Sequence, residues 1–128
     1  MTGTTRQLAE FAAGLTYDKL PAEIAARTKL LILDVAGIMV RARHDAESTA
    51  SLVSAVERLG QVAGNCSVLG DGRGYTPMAA ALVNGSLAHS LDFDDTHAEA
   101  SLHSSAPIVP AVLAAAEMTD ASGKDVIT

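Results

Sequence analysis

Apolar residues recur at helical spacing along most of the chain, and short polar or glycine-rich segments separate these stretches. One short apolar run, 66–69, has the length of a strand and not of a helix. Near the end of the sequence, Ser122 is placed as the N-cap of a further helical turn. We therefore predict an all-α fold with at most one short strand. The predicted helices cover residues 5–15, 21–42, 46–60, 77–91 and 106–118.

The second predicted helix carries the longest apolar run of the chain, 30–40, which Asp34 interrupts. Pro21 suits its first turn, because proline lacks the N–H that this position leaves unpaired. The run is far shorter than the ~20 apolar residues that a membrane-spanning helix needs. Its large apolar side chains cover most of the helix circumference, so we predict a central, buried helix, with Gly37 allowing close contact to another helix.

The composition defines the kind of core that these helices can build. The chain has 128 residues, of which 48% are hydrophobic, 19% are charged and 3% are aromatic. This is the composition of one small folded domain and not of a disordered chain. With so few aromatic residues and no tryptophan, the core must consist of small aliphatic side chains, which suit closely packed helices.

Charge and cysteine content narrow the partners and the compartment. The formal net charge is −6 and the chain has no basic patch, so neither nucleic acid nor an anionic membrane is an expected partner. Cys66 is the single cysteine and cannot form an internal disulfide; it reads as a small buried hydrophobe. The first residues lack the pattern of a signal peptide. We expect a cytoplasmic protein.

The glycine-rich segment 70–74, "GDGRG", has two interpretations. Its glycines suggest a phosphate-binding loop, but it lacks the lysine–hydroxyl ending of that motif and the spacing of the dinucleotide-binding fingerprint. We therefore interpret the segment as a plain turn.

Ionisable residues gather in one segment, "AHSLDFDDTHAEASLHSS", at 88–105. A metal site, an acid–base site and a solvated helix end are the three candidate explanations. If the fourth helix continued to about residue 96, His89, Asp92 and Thr96 would project from one side. Asp94, Asp95 and His97 would point elsewhere and would only end a helix, pair or meet water. That spacing favours a set of three side chains, His89, Asp92 and Thr96, that face one pocket.

The residue types in this segment favour acid–base chemistry. Asp92 lies between two apolar residues, as a partly desolvated carboxylate would, and His103 precedes two serines that can begin the next helix. The unpaired N–H groups of that helix start would also attract a substrate carboxylate, which makes Ser104 and Ser105 candidate substrate-binding residues. A metal held by His97 and His103 is a weaker alternative, because no established metal-binding spacing is present.

Several strings in the sequence resemble a known family. "NGSLAHSLDFDDTH" at 84–97, "PIVPAVLAAAE" at 107–117 and "VLGDGRGYTPMAAALVNG" at 68–85 are similar to the signature region of the MmgE/PrpD family. The stretch 20–40 is similar to its early helix with an Asp-x-x-Gly element, here Asp34 and Gly37. This family includes 2-methylcitrate dehydratase, cis-aconitate decarboxylase and iminodisuccinate epimerase.

The resemblance implies an architecture larger than this chain. Family members have a large helical domain and a smaller α+β domain, with the active site between them, and are typically dimers. Residues 1–128 would then be the N-terminal portion of the helical domain, without the α+β domain, and we expect a homodimer. The isolated chain would be inactive, because further histidines, a lysine and a tyrosine of the site come from later sequence.

The resemblance also implies a reaction and residue roles. Asp92, Thr96 and His103 match the family's active-site positions, and we expect His89 to line the same pocket. Members act on small polycarboxylates without a metal or an organic cofactor. We therefore expect a lyase, of the hydro-lyase type that 2-methylcitrate dehydratase represents. An epimerase, a decarboxylase or a non-catalytic helical fragment remain alternatives. Ser104 stands where the family usually has proline, and this departure is a candidate sign of a different substrate.

Overall fold

A computed structural model of the chain describes residues 3–128, which form six α-helices, one 3₁₀ turn and a two-stranded antiparallel sheet. The all-α class is therefore confirmed. Capping at Ser122 is confirmed too, because its hydroxyl accepts a hydrogen bond from the backbone N–H of Asp125. The elements are α1 (Thr4–Gly14), the 3₁₀ turn (Tyr17–Lys19), α2 (Ala22–Asp45), α3 (Thr49–Arg58), β1 (Cys66–Ser67), β2 (Gly74–Tyr75), α4 (Pro77–His89), α5 (Ser105–Thr119) and α6 (Gly123–Ile127).

The core lies between α2, α4 and α5, with α3 and the small sheet closing its sides. Alanine and valine dominate the buried face of α4, so this helix approaches its neighbours closely. Tyr75 and Met39 are the two largest fully buried side chains. Apart from these two, the core residues are mainly alanine and valine, so the predicted core of small aliphatic side chains is confirmed. None of the helices within residues 3–128 is long and apolar enough to cross a membrane.

The second helix differs from its prediction. Val35, Ile38 and Met39 are buried, whereas Leu30 is 59% exposed and Leu33 is 68% exposed. The prediction of a helix buried all round is wrong, because α2 packs against the rest of the fold along one face only. The prediction of close contact at Gly37 is also wrong, since a Cβ placed there would meet no described atom within 4 Å apart from its own stretch of helix.

The small sheet forms because α4 holds one of its strands. Cys66 pairs with Tyr75 and Ser67 pairs with Gly74. On α4, the buried side chain of Asn84 accepts a hydrogen bond from Leu69 N (2.9 Å) and donates one to Ser67 O (2.8 Å). These bonds satisfy backbone N–H and C=O groups that the short pairing between two-residue strands leaves without a partner. The predicted strand is thus present, and its partner lies at the end of the segment that the sequence places in a turn.

Cys66 is buried, as predicted for a small hydrophobe. Burial raises the pKa of the thiol, and the nearby charge of Glu117 raises it further. A thiol held in its neutral form is a weak nucleophile, so Cys66 contributes packing and not chemistry.

The glycine-rich segment is a turn built around Asp71, as predicted. The Asp71 carboxylate accepts hydrogen bonds from Arg73 (2.8 Å), Tyr75 (2.8 Å) and Arg43 on α2 (3.0 Å). The bonds from Arg73 lower the pKa of Asp71 most strongly; burial opposes them, and Tyr75 and Arg43 add to them. Because the two guanidinium groups are already paired with a carboxylate, this turn has no cationic groups left over for a phosphate.

Replacing Asp71 by asparagine is expected to lower the free energy of unfolding at pH 7 by about 1–3 kcal/mol, since two arginines lose their carboxylate. The folded-state pKa of Asp71 is lowered, so its carboxylate stabilises the fold above the unfolded-state value, about 4. That contribution decreases as the pH falls through the folded-state pKa. Urea unfolding of the wild type and of Asp71→Asn should therefore show a difference in the free energy of unfolding that decreases below about pH 4.

The control for this experiment is Asp34→Asn, because Asp34 lies on the exposed face of α2. This substitution removes one negative charge without touching the Asp71 network. A wild-type value for Asp71→Asn at pH 7, or an equal loss in both variants, would contradict the prediction.

Candidate active site

The fourth helix ends at His89, and the ionisable segment that follows is a loop up to α5. The interpretation that placed His89, Asp92 and Thr96 on one helical face is therefore wrong. The loop begins with Asp92 in the left-handed conformation (φ 56°), where its N–H donates to His89 O at 3.1 Å. This tight turn reverses the chain, so that the residues after Asp92 fold back towards the end of α4.

Asp94 lies at the centre of the site. Its carboxylate has no exposed area, and both of its oxygens contact His89 Nδ1, at 3.0 and 3.1 Å. One of these oxygens also lies 3.2 Å from His103 Nδ1. The two imidazole rings meet edge to face, with their centroids 4.8 Å apart. A single buried carboxylate therefore bridges the two histidines that the sequence analysis associated with the pocket.

Both histidines line an open groove of about 770 Å³ between α4 and α5. Its walls are mostly small and apolar, and the two rings are the main polar groups beside a few serine hydroxyls. A groove of this size can accommodate a small organic substrate. The other groove residues include Ala81, Leu82, Gly85 and Ser86 on α4, Ala106, Pro107 and Ala111 on α5, and Ser48.

Ser104 and Ser105 take part in a different contact from the one predicted. The Asp95 carboxylate accepts hydrogen bonds from Ser104 Oγ (3.0 Å) and from Ser105 N (3.1 Å). Burial raises the pKa of Asp95, but the hydrogen bonds from the two serines outweigh it, so the net pKa is lowered. An ionised Asp95 thus occupies the N-terminus of α5, where a negative charge is favoured. Substrate binding by these serines remains a prediction.

Asp92, Thr96 and His97 lie nearer the surface. Asp92 is exposed beside Asp94 and the two histidines, whereas Thr96 is exposed and lies outside both this group and the groove lining. His97 is exposed in a short bridge with Leu102, and its Nδ1 accepts a hydrogen bond from Ala100 N at 3.2 Å. Among the described residues, His97 is not part of the group of ligand atoms that gathers around His103, so the structure gives no support to the alternative metal site. Catalytic roles for Asp92 and Thr96 remain predictions.

Four residues nevertheless form a group with the right ligand atoms for a metal ion. His89, Asp92, Asp94 and His103, which we call the His–Asp cluster, each offer one ligand atom, and these atoms all lie within 4.8 Å of one another. Imidazole and carboxylate ligands suit zinc and similar divalent ions. However, Nδ1 of both histidines already faces Asp94, so an ion would compete with these contacts or use the other ring nitrogens.

Asp94 is the residue whose position the sequence did not reveal. Its place within the string Asp92–Asp95 was the only signal, and helical spacing directed it away from the pocket. The left-handed turn at Asp92 decides its direction, and such a conformation is uncommon for residues other than glycine. Asp92, Asp94 and Asp95 would each fit such a turn, so local sequence does not identify the buried one.

Fold and site together define a class: a helical domain with a bridged histidine pair at an open groove, suited to acid–base chemistry on a small ligand. The profile of the MmgE/PrpD N-terminal domain matches residues 6–128, and the chain belongs to this family.

Two curated relatives illustrate the similarity. The chain is 35% identical to the cis-aconitate decarboxylase of Aspergillus terreus over 127 residues, which are 98% of this chain and 25% of that protein. It is also 35% identical to the cis-aconitate decarboxylase-like protein oryM of Aspergillus oryzae over 116 residues, 89% of this chain and 23% of the relative. The chain thus spans about a quarter of the length of the curated relatives it matches. The comparison with solved structures gave no significant match.

Proposed function

We propose that this chain supplies one wall of the active site of a lyase that acts on a small polycarboxylate by acid–base catalysis. The observation that carries the proposal is the pair His89 and His103, joined through buried Asp94 and exposed to a groove of about 770 Å³. Two adjacent imidazoles can divide the work of a base and an acid, because an imidazole ring can both accept and donate a proton.

The first candidate reaction is decarboxylation of an unsaturated tricarboxylate of the cis-aconitate type. Similarity to a cis-aconitate decarboxylase and to a cis-aconitate decarboxylase-like protein supports this choice. In this reaction the bond between carbon and one carboxylate breaks, CO₂ leaves, and the electron pair stays on carbon. His103 would deliver the proton that this carbon takes up.

The second candidate is dehydration of a hydroxylated tricarboxylate, as in 2-methylcitrate dehydratase. A base removes the proton next to a carboxylate while an acid protonates the departing hydroxyl, and water leaves. The two-histidine arrangement favours this alternative, because it provides separate groups for the two proton transfers. Asp92 is placed at the edge of the cluster, where its exposed carboxylate would accept a hydrogen bond from the substrate hydroxyl.

The groove also indicates what this chain does not provide. Among residues 3–128, the groove is lined by histidines, serines and apolar groups, with neither lysine nor arginine. A substrate with two or three carboxylates needs more cationic or hydrogen-bond donors than two imidazoles and a few hydroxyls supply. We therefore propose that activity requires further sequence, such as the three quarters of the relatives' length that this chain does not span.

A substrate screen tests the proposal. The complete product of the gene and the 128-residue chain are incubated in parallel with cis-aconitate, 2-methylcitrate and iminodisuccinate. Release of CO₂, formation of an alkene and loss of optical activity distinguish decarboxylation, dehydration and epimerisation. We expect turnover by the complete product and none by the chain alone. Absence of all three signals with the complete product would refute the proposed function.

One further arm of the screen addresses the metal alternative. The complete product is assayed before and after treatment with EDTA, and its metal content is measured by elemental analysis. Turnover that is unchanged by EDTA fits acid–base catalysis by the protein's own groups. A stoichiometric metal whose removal abolishes turnover, and whose return restores it, would instead assign the His–Asp cluster to a metalloenzyme.

A further inference from the structure

We propose that Asp94 is a positioning residue that fixes both His89 and His103 with a proton on Nδ1 and leaves Nε2 of each ring as the free proton acceptor. The inference rests on the proposed function only for its catalytic consequence. Its structural part concerns the protonation pattern of two side chains and can be measured without turnover.

The burial of Asp94 is the first argument. Its side chain is fully buried, whereas the His89 side chain is 55% exposed and that of His103 is 32% exposed. A carboxylate removed from water needs partners that donate hydrogen bonds to it. The two Nδ1 atoms are the groups placed to do this, at 3.0–3.1 Å for His89 and 3.2 Å for His103.

Electrostatics then determines which nitrogen of each ring carries the proton. If Nδ1 were unprotonated, its lone pair would face the lone pairs of a carboxylate within 3.2 Å, which is repulsive. For His89 the geometry satisfies a hydrogen bond. His103 Nδ1 is buried 3.2 Å from an Asp94 oxygen, without the alignment of a hydrogen bond and with no other partner among the described residues. Asp94 is therefore the acceptor that a proton on this nitrogen would meet after a small rotation of the ring.

A neutral imidazole with its proton on Nδ1 has its lone pair on Nε2. Because Nδ1 of His103 is buried against Asp94 and the ring also lines the groove, its accessible part lies on the other side. The same reasoning applies to His89, which lines the groove and contacts Asp94 through both carboxylate oxygens. One carboxylate thereby prepares two proton acceptors for a ligand in the groove.

His97 gives an internal reference for the opposite pattern. Its Nδ1 accepts a hydrogen bond from Ala100 N at 3.2 Å, so this nitrogen is unprotonated and the proton lies on Nε2. The fourth histidine, His44, is exposed near the end of α2. The same chain thus contains two histidines expected to be protonated on Nδ1 and one expected to be protonated on Nε2.

The test uses long-range ¹H–¹⁵N correlation spectra of the chain labelled with ¹⁵N-histidine, at a pH where the rings are neutral. We expect the cross-peak pattern of a ring protonated on Nδ1 for His89 and His103. For His97 we expect the pattern of a ring protonated on Nε2. The wild-type spectrum is decisive by itself, even if no variant folds. An Nε2–H pattern for either His89 or His103 would overturn the inference.

Asp94→Asn is the informative variant, because its single amide oxygen replaces two carboxylate oxygens and its NH₂ group donates. At least one of His89 and His103 should change its protonation pattern in this variant, while His97 should keep its own. Asp94→Glu keeps a carboxylate and should restore part of the wild-type pattern. Asp95→Asn, in the same loop but bonded to Ser104 and Ser105, is the matched control and should leave both rings unchanged. Unchanged rings in Asp94→Asn would refute the inference.

The catalytic consequence is measured on the complete product of the gene. We expect Asp94→Asn to lower kcat by about 10–100-fold with a smaller change in KM, the range seen when groups that orient a functional histidine are removed. A loss confined to KM would contradict positioning for catalysis. If the wild-type protein turns over no polycarboxylate while the spectra show the expected patterns, the proposed function fails and the assignment of Asp94 stands.

Discussion

Replacing His103 by alanine is expected to lower kcat/KM by about 10²–10⁴-fold in the complete gene product, the usual contribution of a general acid or base. His103 reaches the groove from the loop just before α5 and contacts buried Asp94, so its removal takes away one of the two proton-transfer groups. Steady-state kinetics with the substrate identified by the screen gives the size of the loss.

Folding and catalysis can be separated in this experiment. The His103 side chain is 32% exposed, so its removal creates no large cavity, and Asp94 keeps its hydrogen bond from His89. The variant should therefore stay folded, which thermal unfolding checks. His44→Ala is the matched control, because that histidine lies on the exposed surface of α2, outside the groove. A near-normal rate for His103→Ala would refute the assignment of His103 as an acid–base residue.

Alanine at Gly74 is expected to lower the free energy of unfolding by about 3 kcal/mol or more, the upper range for atoms forced into a packed interior. A Cβ at Gly74 would lie 2.0 Å from Gly64 O, and one at Gly64 would lie 2.1 Å from Tyr75 O. Both clashes are with backbone atoms, which cannot move aside as a flexible side chain would. Urea or thermal unfolding of Gly74→Ala and Gly64→Ala measures the loss.

Gly37→Ala is the control, and its effect on the free energy of unfolding should have the opposite sign. Gly37 lies inside α2, and a Cβ there meets no described atom within 4 Å. Alanine should therefore stabilise the protein by about 0.5–1 kcal/mol, because it loses less conformational freedom in a helix than glycine does. Equal effects of alanine at Gly74 and at Gly37 would show that segments 64 and 74–75 do not pack backbone against backbone.

Helical periodicity was sufficient to place most of the elements, because burial on one helical face leaves a repeat that the sequence carries directly. Predicted helices over 77–91 and 106–118 correspond to Pro77–His89 and Ser105–Thr119. The same reasoning failed for α2, whose apolar residues occur on both the buried and the exposed face. Hydrophobicity alone does not tell a buried leucine from an exposed one.

The sequence selected some of the residues that meet in the His–Asp cluster. The sequence selected His89, Asp92 and His103, which the structure brings into one cluster, and also Thr96, which it places outside. Asp94 was assigned to a helix end because the fourth helix was extended beyond His89. The helix end itself was uncertain in the sequence, since Ser90 and Leu91 carry no strong stop signal.

The sequence by itself determined the helical class, the core of small side chains and the segment that holds the ionisable residues, since composition and periodicity are local properties. The tertiary structure decided which aspartate is buried between the histidines and which carboxylate occupies the start of α5. It also decided which glycines touch another backbone. These features depend on contacts between residues that are not neighbours in the sequence, such as Asp94 with His103 and Gly64 with Gly74. A sequence pattern does not contain the direction in which a loop turns, and that direction made Asp94 the centre of the site.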